Sequence, residues 1–196
     1  MRHFSRMALA VVIAGVAFER SATAEPRHLK TIAIVVVNEA AVREDLLKHA
    51  QRQATRIYEP LDVALKWTDS MIAEPTALRL TIKIVPYSKL GHGEDAMGLA
   101  IKGGNLAYVF YGRVSDFAEQ HQLETATVLA HVIAHEMGHL LLPNRPHSSS
   151  GIMRASWHRA HQLAIMRSPR GLSFTSAEVE LIRQSIDAAR SRHHTR

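Results

Sequence analysis

The chain has 196 residues, 46% of them apolar and 21% charged. That is an ordinary globular balance, and it excludes wholesale disorder, collagen and coiled coil. Cysteine is absent and histidine stands out with 13 residues, so disulfide frameworks, thiolate-held metal sites and thiol nucleophiles are excluded. The net charge of +6 permits contact with nucleic acid or anionic surfaces but does not require it.

Residues 1–24 read as a secretory signal. Arg2 and Arg6 give a positive start, residues 7–18 are an unbroken apolar or small-residue run, and Ala22-Thr23-Ala24 fits a small-x-small cleavage site before Glu25. The run is shorter than the roughly 20 apolar residues of a membrane span. An uncleaved anchor is the alternative, because Glu19 and Arg20 make the cleavage region polar. The expected product is residues 25–196, secreted or periplasmic, with no stable membrane insertion. Losing Arg2, Arg6, Arg20 and Glu19 lowers its charge from +6 to +4. The remaining basic cluster, Arg190, Arg192 and Arg196 with His193 and His194, reads as a solvated tail, so no specific nucleic-acid partner is expected.

Further along, residues 31–37 (T-I-A-I-V-V-V) are continuous and β-branched, which predicts a strand buried on both faces. Residues 41–58 carry Val42, Leu46, Leu47, Ala50, Ala54 and Ile57 near helical spacing, so a helix ends before Pro60. Residues 61–67 and 78–85 read as strands. In the second, Leu78, Leu80, Ile82 and Ile84 alternate with Arg79, Thr81 and Lys83, which leaves one face wet. Residues 90–104 are glycine-rich, a loop with room for one short strand. A strand at 106–111 follows, then a long helix over 123–142 stopped by Pro143, a loop over 143–156, and helices near 159–166 and 177–190. Thr175 and Glu178 fit a capping box for the last helix. The pattern predicts one α+β or three-layer domain.

The informative stretch is H-E-M-G-H, His135 to His139. On a helix, residues four apart lie on one face about 6 Å apart along the axis. Two imidazoles so placed reach a single zinc ion at about 2.0–2.1 Å. Glu136 follows the first of them, where its carboxylate can take a proton from water. Attack on an amide needs that help, because water's own pKa of about 15.7 must fall to about 7. Residues 127–142 hold no proline, so a helix can carry the motif. His131 shares the stripe, but positions eight apart are separated by about 12 Å. It is read as a satisfied buried residue or a support to the site.

A catalytic zinc takes three protein ligands and keeps one position open. Asn144 suits a left-handed turn after the helix, and the first imidazole beyond it is His147. His158 and His161 look like surface positions of an amphipathic helix. A glutamate ligand would have to be Glu178 on a helix packed against the site, a less direct route.

The segment H-E-M-G-H-L-L-L-P-N-R-P-H-S-S-S-G-I-M-R-A-S-W resembles a metzincin-type zinc peptidase. Metzincins follow H-E-x-x-H with a glycine turn, a third histidine and a turn that carries a methionine beneath the metal. The resemblance gives His135, His139 and His147 as metal ligands, Glu136 as general base, and Met153 within Gly151-Ile152-Met153 as the Met-turn. The His147-Ser148 pair resembles the matrixin branch. His147 lies 12 residues after His135 where 10 is usual, Pro143-Asn144 stands in place of the turn glycine, and no tyrosine follows Tyr111.

What the resemblance implies is a three-layer α/β/α fold with a mixed, mostly parallel, twisted sheet. Residues 97–101 would be an edge strand over the cleft, a long helix would carry the site, and the C-terminal subdomain would be small and helical. The division would fall at 25–142 and 143–196. The expected activity is that of a secreted Zn2+ endopeptidase acting on polypeptides. The rival readings are a non-catalytic exported zinc-binding module and a module that binds anionic polymers.

Overall fold

The computed structural model describes residues 30–69, 78–87, 96–142, 146–158, 160–169 and 171–194. The signal-peptide reading over 1–24 and the turn placed on Asn144 lie outside them, as do the side chains of Arg192, His193 and His194.

Strand β1 (Lys30–Asn38) leads to helix α1 (Glu44–Tyr58), a 3-10 turn at Glu59–Leu61, and β2 (Val63–Thr68). Then come β3 (Leu78–Val85), β4 (Gly98–Ala100), β5 (Leu106–Phe110), α2 (Tyr111–Gln120), α3 (Thr125–Leu141), α4 (Ala160–Arg167) and α5 (Ser176–His194). β2 starts later than the sequence pattern places it, because Pro60 sits in the 3-10 turn and Asp62 turns the chain with a left-handed φ of 55°. Helix α2 has no counterpart in the sequence reading. Its signal was present, since Val114, Phe117 and Ala118 are buried at helical spacing, but Gly112 near its start masked it.

The fold is α+β. The five strands run in the order β2-β1-β3-β5-β4. β1 pairs in parallel with β2 and β3, and β3 with β5, while β4 alone runs antiparallel, along β5. The sheet is therefore mixed and mostly parallel, and β4 is one of its edges.

The β-branched run of β1 is buried throughout Ile32–Val36 on both faces. In β3, Leu80, Ile82 and Ile84 are buried while Arg79, Thr81 and Lys83 are half-buried. The core forms on the side of Ile32, Ile34, Val36, Leu80, Ile82 and Ile84, where α1 and α3 pack. The other described helices α2, α4 and α5 also touch α3. The described helices thus gather on one side of the sheet, which gives two layers and not the expected three. The polar alternation of β3 is the reason, since a face carrying Arg79, Thr81 and Lys83 offers a helix little apolar surface to bury.

Helix α3 is enclosed along nearly its whole length. Tyr58 helps to fix it from α1: its buried hydroxyl donates to the Ala134 carbonyl at 3.1 Å, and its ring meets Phe174 edge-on at 5.0 Å. Among the described residues, no helix is long and apolar enough to cross a membrane.

Candidate metal centre

His135, Glu136 and His139 stand on the last turns of α3, and His147 arrives from the loop that follows. The His139 Nε2 lies 3.0 Å from His135 Nε2 and 3.1 Å from His147 Nε2. One nitrogen from each ring falls within 4.8 Å of the others. Two nitrogens bound to one tetrahedral zinc at the usual bond lengths would be about 3.3 Å apart. The triad therefore has the spacing of a zinc site before any ion is added. Other features suit the same purpose. The Nδ1 of His135 donates to the Ile152 carbonyl at 2.8 Å, which fixes the ring and leaves Nε2 with its lone pair for a metal. Burial lowers His135 to about 3 and His139 to about 4, and it also lowers His147. His135 and His139 are thus neutral, the form that ligates, over the whole physiological range, and burial biases His147 toward the same form.

Glu136 faces the cleft but is 5% exposed, and burial raises it to about 8, partly offset by the Ala100 backbone N–H. β4 covers it so closely that a β-carbon at Gly98 would come within 2.5 Å of Glu136 Oε1. Phe110 N–H donates to the Met97 carbonyl and Ile101 N–H to the Leu106 carbonyl. Antiparallel alternation then turns the backbone groups of Gly98 and Ala100 outward, away from β5. A cleft of about 440 Å³ lies between β4, α3 and the loop after Met153.

Met153 is buried beneath α3 against Gly138, the residue before His139. The turn that carries it is closed by the Ser148 N–H, which donates to the Met153 carbonyl at 2.8 Å. The Ser148 hydroxyl donates to one Glu178 oxygen, and the Thr175 N–H donates to the other at 2.7 Å. Glu178 N–H returns a bond to Thr175 Oγ1 at 3.3 Å, which completes the capping box read from the sequence. Both carboxylate oxygens of Glu178 are thus committed. It holds the residue after His147 in place and is not positioned as a ligand.

His131 also finds two partners within the protein. Its Nδ1 donates to the Thr127 carbonyl at 2.7 Å and its Nε2 accepts the Leu172 N–H at 2.9 Å. It ties α3 to the segment before α5, as its place on the stripe suggested. His158 is exposed and meets Phe117 edge-on at 5.2 Å, apart from the triad. The side chain of His161 lies outside the described residues. Trp157, for which no sequence signal stood out, packs edge-on to His135 at 5.4 Å and is 4% exposed.

At the level of sequence, no family model and no curated protein matches this chain. Comparison of folds is more productive. The structure of an archaemetzincin from Methanopyrus kandleri superposes with a TM-score of 0.54 at 15% identity, over 83% of this chain and 98% of that one. The fold is similar to that of an archaemetzincin. A zinc-dependent peptidase from Methanocorpusculum labreanum aligns over 78% of this chain and 99% of its own, at 12% identity and a TM-score of 0.49.

Proposed function

We propose that this protein is an exported zinc endopeptidase of the metzincin type. The observation that carries the reading is the convergence of three imidazole nitrogens beside a buried carboxylate, under the outward edge of β4. The fold similarity to an archaemetzincin supports it, as does the packing of Met153 against Gly138 of the helix that carries His135 and His139. The His147-Ser148 pair supports the matrixin-like branch, and residues 25–142 and 143–196 are read as the two subdomains. Export rests on the composition of residues 1–24.

His135, His139 and His147 would hold the zinc. When bound, zinc acidifies water and polarises a peptide carbonyl. The rest of the work falls to the chain. Glu136 accepts the proton of the attacking water and passes it to the leaving amine. Its burial suits the first step, because a raised pKa makes the carboxylate a stronger base toward the water's proton. The outward backbone groups of Gly98 and the Ala100 carbonyl can pair with an extended substrate, as an added strand would. That pairing would hold the scissile bond over Glu136.

The test is metal content together with cleavage of unfolded proteins. The reading predicts one zinc per chain and proteolysis that a chelator abolishes and zinc restores. Glu136→Gln should keep the metal and lower turnover by about 10²–10⁴-fold. A zinc-loaded wild type that cleaves no unfolded substrate would instead be a binding module.

A further inference from the structure

Among the described residues, the charged side chains of the cleft that a substrate can meet are positive. Its charged side chains, among the described residues, are Lys102, Glu136 and Arg154. Glu136 is buried beneath Gly98. Both cations line the cleft, Lys102 from the turn after β4 and Arg154 immediately after Met153. The Arg154 guanidinium donates to the Ser149 carbonyl. That bond holds it against its own loop and leaves its charge unneutralised, since a carbonyl is neutral. A chain entering the cleft along β4 would enter a space lined by both positive groups.

We infer that the cleft selects substrates with a carboxylate next to the scissile bond, read by Lys102 and Arg154. This rests on the peptidase reading. The carboxylate can be supplied by an Asp or Glu side chain or by a free chain end. Both offer the same acceptor geometry, which a guanidinium matches in a bidentate manner. A basic substrate residue there would meet like charges, so the same walls reject it.

The experiment uses the full zinc-loaded protein and quenched peptides that differ only in Glu against Gln beside the cleaved bond, each with an amidated or a free C-terminus. Cleavage is measured on wild type, and affinity is measured by fluorescence anisotropy on Glu136→Gln. The Glu peptides should be favoured by about 5–20-fold, carried by KM and affinity more than by kcat, because each half-exposed pair is worth up to about 5-fold. The preference should shrink between roughly 0.05 M and 0.5 M salt, as the screening length shortens. Arg154→Gln and Lys102→Gln should each lower the Glu-to-Gln ratio by about 3–5-fold, and Arg154→Glu should invert it. A gain seen only with free C-termini would make the chain end the recognised carboxylate. Equal cleavage and equal affinity for all four peptides would overturn the inference and leave the peptidase reading standing. If none is cleaved, the peptidase reading fails, and equal affinities in the binding arm would then sink the inference separately.

Discussion

The sulfur of Met153 fills the space that a side chain on Gly138 would need. A β-carbon there would lie 2.5 Å from Met153 Sδ and 3.1 Å from Phe174 Cε1. Gly138 thus lets the methionine turn reach the underside of α3 between His135 and His139. Alanine is the better helix former by about 1 kcal/mol, so any loss on substitution measures the steric conflict. Gly138→Ala should cost about 1–3 kcal/mol by overpacking. In a Met153→Ala background the cost should largely vanish, which a double-mutant cycle by denaturant unfolding would read. Additive effects would show that the two residues do not compete for the space.

Gly98 bears the same relation to Glu136, from the other side. A β-carbon at Gly98 would fall 2.5 Å from Glu136 Oε1 and 2.7 Å from its Cγ. Gly98→Ala should push the carboxylate aside without touching a ligand. Zinc content should stay at the wild-type level while turnover falls by about 10–100-fold, since misplacement of a catalytic group by about 1 Å has that effect. Unchanged turnover would mean that β4 is free to lift away.

The geometry of the histidine group separates two histidines that composition alone cannot rank. His147 Nε2 is 3.1 Å from His139 Nε2, whereas His158 packs against Phe117. His147→Ala should abolish tight zinc binding, and His158→Ala should leave it within about 2-fold, well short of the 10–100-fold that even outer-shell partners cost. Competition with a chromogenic chelator measures both. Loss of metal in His158→Ala would overturn the assignment.

Without metal, stability should depend on pH through Glu136 and the histidines, in opposite senses. Burial lowers His135 from 6.5 to about 3 and His139 to about 4. Their contribution is complete above pH 6.5 and is lost as pH falls through those values. Glu136 is raised from 4.5 to about 8. Its contribution is complete below 4.5 and is lost as pH rises through 8. Two rising slopes against one falling slope give a maximum near pH 6.5, followed by a decline toward pH 8. That decline is on the order of 1–3 kcal/mol. In the zinc-loaded protein the alkaline limb should flatten, because a neighbouring dication favours the charged carboxylate. Chemical denaturation from pH 4 to 9, with and without zinc, checks both curves. A metal-free curve that keeps rising to pH 9 would contradict the burial of Glu136.

The chemistry of the helix was written in the sequence. His135, Glu136 and His139 occupy one turn, and helical periodicity is local, so their shared face follows from spacing alone. The strands at 31–37 and 78–85 and the capping box of Thr175 and Glu178 were legible for the same reason. Tertiary structure decided whatever depended on distant chain segments. It brought His147 to the pair across a loop and used both oxygens of Glu178 on Ser148 and Thr175. It placed β4 over Glu136, where the residues themselves showed a glycine-rich stretch and only the family resemblance implied an edge strand at 97–101. It also left the Arg79, Thr81 and Lys83 side of the sheet without a described helix. Sequence patterning records which face of an element avoids water. Which partner covers that face, and which polar atoms are left to meet, is settled only when elements far apart in the chain compete for the same space.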